Sequence, residues 1–291
     1  MFKDAKFITL AGFIVAMTCS VFVPVETLPP VKTSLHFAAS PSGTEILQEI
    51  VTKGDHLREG ILYRHILKGH VPAFLDSFVR ISFNARDGQQ RMRHVEIDVA
   101  PDYLAVGRID DYFYVPLQPA TAVAVADQFS LMLPTKQLVD IIYKFARVQL
   151  RPIALPPGRS MSGIERAFDH TTLIRQSDIQ RNLRGVLTAG HKKDIVLSHS
   201  LRQLEDRLAI YGWHNTDGVP IQKLNHDHDF RYADYSHGVR FISRNARVDG
   251  ERIDLAIAVS DELLSPLFSD EGPIDSTAYV PRWIRQYLLS H

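Results

Sequence analysis

Residues 79–99 read VRISFNARDGQQRMRHVEIDV. The first part, Val79-Arg80-Ile81-Ser82-Phe83, alternates apolar and polar residues. The last, Arg93-His94-Val95-Glu96-Ile97-Asp98-Val99, alternates strictly and puts Val95, Ile97 and Val99 on one face. A period of two is the pattern of a half-buried strand. Arg86-Asp87-Gly88 supplies the turn between them, so the stretch is predicted to be a β-hairpin. Pro101-Asp102 then breaks the pattern. Tyr103–Gly107 and Tyr112–Pro116, on either side of Asp110-Asp111, predict two further strands. Strands in succession without an intervening helix predict an antiparallel meander, not a βαβ unit. No glycine-rich phosphate loop follows any of them, so nucleotide binding has no support here.

Helical spacing flanks this region. Ser42-Gly43-Thr44-Glu45 precedes Ile46, Ile50 and Val51, and Asp55–Leu67 continues in the same period until Gly69-His70-Val71-Pro72. His56, His65 and His70 are expected on helix surfaces or loops. Pro119 opens a helix carrying Ala122, Val125, Ala126 and Phe129. Thr135 caps another, Lys136–Arg147, whose expected apolar stripe is Leu138, Ile141, Ile142 and Phe145. Arg151–Gly163 is a Pro- and Gly-rich crossover.

From Gly185 short strands return: Gly185–Ala189, Asp194–Leu197, Leu208–Tyr211, and Phe230–Tyr235 and Val239–Ser243 around Ser236-His237-Gly238. Asn215-Thr216-Asp217-Gly218 and Asp249-Gly250 are turns, and Val280–Leu289 is a C-terminal helix. The expected class is α+β: a curved antiparallel sheet or barrel with helices packed on one side. Residues 31–291 are expected to form one domain, with strands from both sides of the 151–163 crossover sharing a core.

The chain has 291 residues, with 33 basic and 33 acidic side chains and a formal net charge of +0. That balance gives no basic footprint, and nucleic acid is not an expected partner. Lys3 and Lys6 precede the uncharged run Phe7–Val23. Residues 1–30 therefore read as an export signal or an N-terminal anchor, with membrane attachment through residues 7–23 in the second case. The protein is expected outside the cytoplasm: secreted, periplasmic or membrane-anchored. Cys19 is the only cysteine. Cleavage near it leaves none, which excludes internal disulfides, a Cys nucleophile and thiolate metal sites.

The chemistry-bearing residues gather between Gly185 and Arg244, where six of the 13 His occur. Each polar group there follows a short apolar run, as on loops at one rim of a sheet. His191, Asp194, His214, Asp234 and His237 are the candidate acid–base residues, with a carboxylate expected to orient an imidazole. Lys193, Trp213, Tyr235, Ser236 and Arg240 are candidates for binding substrate or developing negative charge. Tyr235-Ser236-His237-Gly238 has only part of a nucleophile elbow, since Asp234 stands where G-x-S-x-G needs its first glycine.

His226 and His228, at i and i+2 of an extended segment, are candidate metal ligands. With a third ligand from His191, Asp194, His214 or His237 they would suit one divalent metal such as zinc, and an activated water. Alternatively, Tyr211, Trp213, Tyr232 and Tyr235 would present an aromatic face to a glycan or peptide. The function expected from these residues is an exported hydrolase acting on a peptide or glycan of the cell envelope. The competing expectation is a non-catalytic carbohydrate- or peptide-binding envelope protein.

Five strings, Pro101-Asp102-Tyr103-Leu104-Ala105-Val106-Gly107, Leu133-Pro134-Thr135 with Leu138-Val139-Asp140, Gly190–Asp194, Ala209–His214 and Asp234–Arg240, together resemble a family of uncharacterised exported proteins. The resemblance spans about Gly69 to Gly250. It implies one module across the Pro-rich crossover and brings no activity, cofactor or catalytic residue.

Overall fold

Val79–Arg86 (β1) and Met92–Val99 (β2) form the expected hairpin, in register from Val79 opposite Val99 to Arg86 opposite Met92. Asp87 closes it, accepting from the N–H groups of Gln89 and Arg91 and from Nε of Arg91 and Arg93. Burial opposes ionisation of Asp87, yet these donors hold its carboxyl down at about 2. In the computed structural model, residues 40–158, 161–177, 186–204 and 206–279 are described. All of them belong to the unit Val31–His291. Residues 1–30 and the helix expected at Val280–Leu289 lie outside the described residues. Among the described residues no helix is long and apolar enough to cross a membrane.

Two helices precede the hairpin. Ser42 and Glu45 make a reciprocal capping box that starts α1 (Gly43–Ile50), and α2 (Asp55–Leu67) follows. After the hairpin the expected meander stops. β3 (Ala105–Arg108) and β4 (Asp111–Tyr114) pair with each other, and β2 takes its other partners from far along the chain. α3 (Pro119–Gln128) leads to β5 (Leu131–Met132). Thr135 then caps α4 (Lys136–Phe145), its hydroxyl accepting from Leu138 N–H. The buried stripe of α4 is Leu138, Val139, Ile142 and Tyr143, rotated from the expected one, and Phe145 is exposed. That rotation leaves Asp140 on the side facing the next sheet.

The crossover is flanked by β6 (Val148–Gln149) and by a helix that periodicity did not reveal, α5 (Ile164–Ser177). β7 (Thr188–Ala189) runs parallel to β6. β8 (Lys193–Ile195), β9 (Ile210–His214), β10 (Pro220–Asn225) and β11 (His237–Gly238) build a second sheet in the order β10-β9-β8-β11. Phe230–Tyr235, expected as a strand, is turn and irregular backbone; the isolated bridge of Asp229 with Arg207 lies just before it. β12 (Ile242–Ser243), β13 (Asn245–Val248) and β14 (Glu251–Asp254) return to the first sheet, which runs β14-β13-β2-β12-β5 with β1 on β2. Asp249 and Gly250, at φ 52° and 86°, make the tight turn between β13 and β14, and α6 (Leu255–Ala258) follows.

The fold is α+β and the main sheet is antiparallel. It is not a barrel: the described strands make four separate sheets. The helices are shared out among them and do not cover one side of one sheet. α1 and α5 pack on the β3–β4 hairpin, α3 on β5 and α4 on β9. One apolar cluster includes Ile46, Val95, Ile97, Val99, Leu138, Ile195, Ile210, Val239 and Phe268, so segments from both sides of the crossover share it.

Candidate functional site

β9 decides where the site lies. Regular alternation would send Tyr211 and His214 to opposite faces. Gly212 and Trp213 both take positive φ, 106° and 55°. This double kink re-aims the strand, and both side chains reach Asp140 of α4. A Cβ at residue 212 would stand 3.3 Å from Asp194 Oδ2 and 3.4 Å from Val139 Cγ1, so glycine is needed for conformation and fits a tight approach.

His214 Nε2 lies 3.0 Å from Asp140 Oδ1. Tyr211 Oη donates to the same carboxylate, at 2.9 and 3.0 Å from its two oxygens. Tyr143, one helical turn after Asp140, stacks on the His214 ring with centroids 4.4 Å apart and planes 16° from parallel. Tyr143 Oη donates to Asn215 O at 2.6 Å, which anchors the loop after β9. Burial, and then the hydrogen bond to Asp140, raise the Tyr211 hydroxyl and keep it protonated. These side chains line an open pocket of about 410 Å³, with Lys144 and Asp217 also in its wall. His214 Nδ1 makes no hydrogen bond among the described residues.

Asp194 lies behind this pocket, fully buried. Burial raises its carboxyl from 3.8 to about 6, against the Arg240 charge and a hydrogen bond donated by Tyr103. The expectation that Asp194 bonds an imidazole is not met: among the described residues its carboxylate accepts from Tyr103 Oη.

His191 belongs to a different group. Its Nε2 is 3.3 Å from Asp102 Oδ1, and Tyr114 Oη donates to Asp102 Oδ2 at 2.8 Å. Neighbouring Lys192 Nζ is 2.9 Å from His170 Nδ1 of α5 and donates to Tyr235 O at 2.7 Å. Burial and the Lys192 charge push the His170 imidazole down to about 2, so it stays neutral and accepts. Arg240 is also fully buried. It donates to Ala100 O and Thr188 O and packs 4.1 Å above the Tyr103 ring centroid. Arg240, Lys192 and His191 thus bind the two halves of the chain together, and Arg240 is not placed to meet a substrate.

His237 lies on β11, buried, 6.3 Å between ring centroids from His228 and 5.7 Å from Tyr232. Asp234 touches it through the backbone: the Asp234 N–H donates to His237 Nδ1 at 3.3 Å. The Asp234 carboxylate instead accepts from Ser236 N–H, Ser236 Oγ and Tyr232 Oη. The Ser236 hydroxyl is spent on that bond, and Tyr235 is buried, its hydroxyl oxygen accepting from Leu155 N–H at 2.9 Å.

The three imidazoles expected in one cleft therefore occupy three environments, because His191 lies in the bend before β8, His214 ends β9 and His237 starts β11, each with different partners. The metal candidates do not meet either. His226 Nε2 is 3.0 Å from Ser198 Oγ, while His228 stacks on Tyr232. Among the described residues no group of three or more His, Cys, Asp or Glu is arranged to hold a metal ion. A zinc site through His226 and His228 does not fit. The four aromatics also fail to form one face: Tyr211 and Tyr235 are buried, while Trp213 and Tyr232 are half-buried.

Asp140 is the main residue that the sequence underrated: on a helix read as a packing layer it stood, with Asp127, only as a minor functional option. The available signal was its position inside the rotated stripe, three residues before Tyr143. Asp102, Tyr114 and His170 were missed as well. Comparison with family models, with curated proteins and with solved structures finds no match.

Proposed function

We propose that the chain is an exported hydrolase of the cell envelope, cleaving a peptide or glycan by acid–base chemistry at His214 and Asp140. The observation that carries this reading is the 3.0 Å Asp140–His214 contact inside an open 410 Å³ pocket. A carboxylate that accepts from Nε2–H fixes the tautomer and leaves Nδ1 as the base. For an amide substrate, Nδ1 takes a proton from water as the water oxygen bonds to the carbonyl carbon. The same proton passes to the leaving nitrogen as the C–N bond breaks. Tyr211 holds Asp140 from the other side, and stacked Tyr143 fixes the imidazole plane. Exposed Lys144 offers positive charge at the pocket wall. The export signal read at residues 1–30 supports an envelope substrate.

The test incubates purified protein with peptidoglycan fragments, unmodified peptides and oligosaccharides, and follows products by mass spectrometry. Cleavage with gain of one water, lost in His214→Ala and Asp140→Asn, is the expected result. Full turnover in both variants removes the site assignment. Saturable binding with no cleavage of any class favours a carbohydrate- or peptide-binding envelope protein.

A further inference from the structure

A second group of polar side chains lies apart from the Asp140 pocket. Lys193 of β8 stands directly opposite His237 of β11 and opposite Gly212 of β9. Strand alternation puts Lys193 and His237 on one face of this sheet and Asp194 and Tyr211 on the other. Lys193 Nζ lies 5.0 Å from the Trp213 ring centroid, brought there by the kink at residues 212–213.

Three donors of this group are unspent. Lys193 is half-buried and makes no ion pair among the described residues. Trp213 Nε1–H is buried without an acceptor among the described residues. His237 is 1% exposed, and its Nε2 has no hydrogen-bond partner among the described residues. Its Nδ1 accepts from Asp234 N–H, so the neutral ring carries its proton on Nε2 and that atom is a donor. Buried donors without acceptors are rare and costly, and here two flank one lysine. The Asp234 charge is felt by Lys193, but its oxygens accept from Ser236 and Tyr232 and make no hydrogen bond to Lys193 Nζ, Trp213 Nε1 or His237 Nε2 among the described residues. Half-buried Tyr232 stacks on His228 at 4.4 Å and bounds the group on its far side.

We propose that Lys193, Trp213 and His237 form a binding site for a carboxylate, on the sheet face opposite the Asp140–His214 pocket. A carboxylate has two oxygens and about four acceptor positions, enough for an ammonium and two ring N–H donors. Trp213 contributes the ring face against which a small apolar substituent next to the carboxylate would pack. The ligand class is therefore a short monocarboxylic acid, such as the free C-terminus of a peptide. The assignment does not depend on hydrolysis at His214.

Binding is read from Trp213 fluorescence in a Trp283→Phe background, which leaves Trp213 as the only tryptophan of the two in the chain. The probes are acetate and N-acetylalanine, with chloride at matched ionic strength as control. A saturable change with both acids and none with chloride is expected. Lys193→Met should weaken the midpoint at least tenfold, and Lys193→Arg should restore part of it. His237→Gln keeps a donor and should bind, whereas His237→Phe should not. His214→Ala should bind as the parent does. The proposal is overturned if neither acid gives a saturable change, or if Lys193→Met leaves the midpoint where it was while its circular dichroism matches the parent.

Discussion

Tyr103 Oη donates to Asp194 Oδ2 across 2.7 Å, joining residues 91 positions apart and on opposite sides of the Pro-rich crossover. Both are almost fully buried. Gly238 makes the contact sterically feasible, since it presents no side chain to the Tyr103 ring. Arg240 then covers that ring with its guanidinium. The pocket residue His214 sits on β9, which pairs with the Asp194 strand, so this buried bond also fixes the floor beneath the proposed site.

Tyr103→Phe is expected to make stability more sensitive to pH. The Asp194 carboxyl, already raised from 3.8 to about 6 by burial, loses a donor that favours its charged form and moves higher. Its folded value lies above its unfolded one. The stability tied to protonated Asp194 is therefore present below about pH 3.8 and lost as pH rises through 6 and beyond. The variant should lose about 1–3 kcal/mol at pH 8, the cost of leaving a buried acceptor unmet, and less at pH 4.5. Urea unfolding at both pH values measures it, and an equal loss at both contradicts the argument.

Glu59 gives an independent pH effect between α2 and α3. Burial raises its carboxyl from 4.5 to about 7, against hydrogen bonds from Thr121 and Gln118. Because the folded value is the higher one, stability linked to Glu59 is full below about pH 4.5 and is lost as pH rises through 7. Glu59→Gln removes that loss. At pH 8 the variant should be more stable than the parent by on the order of 2–3 kcal/mol, given about 1.4 kcal/mol per pH unit. At pH 4.5 the gain should vanish, and thermal melts at the two pH values would reveal any failure.

The first hairpin was legible because Val95, Ile97 and Val99 alternate without exception and Asp87-Gly88 marks the turn. The capped helices at Ser42 and Thr135 were legible for the same local reason. What failed was long-range. No local pattern tells β2 to pair with β12 and β13 in place of β3, and two-residue strands such as Ile242–Ser243 carry no period at all. The site followed the same division. His214 stood out as a residue type at a strand end. Its partner Asp140 lies 74 positions earlier and is brought to it by helix packing and the Gly212-Trp213 kink. His191 and Arg240 looked chemical in sequence because buried charge networks use the residue types that active sites use.

Gly238→Ala should test how tightly the two halves are joined. The added Cβ would stand 2.6 Å from Tyr103 Cδ1 and 2.7 Å from Lys192 Cβ. Neither is a flexible chain end, so the β8–β11 pair or the Tyr103 ring must shift. Overpacking of this kind costs typically about 1–3 kcal/mol. Calorimetry giving an unchanged midpoint would show that this approach is looser than described.

Replacing the two members of the Asp140–His214 pair should separate chemistry from stability. Asp140→Asn keeps the shape of the side chain but removes the charge that favours the imidazolium formed during proton transfer. His214→Ala removes the base itself. Each should lower the turnover of a cleaved substrate by about 10²–10⁴-fold, the usual contribution of a positioned acid–base group. The two losses should be far from additive in the double variant, because the residues act as one unit. Tyr211→Phe gives the contrasting case. It removes one donor to Asp140 and leaves His214 in place, so it should lower turnover less than Asp140→Asn does. Full multiplicative losses in the double variant, measured as kcat/KM on the same substrate, would mean that Asp140 and His214 serve separate roles and that the dyad is wrongly assigned.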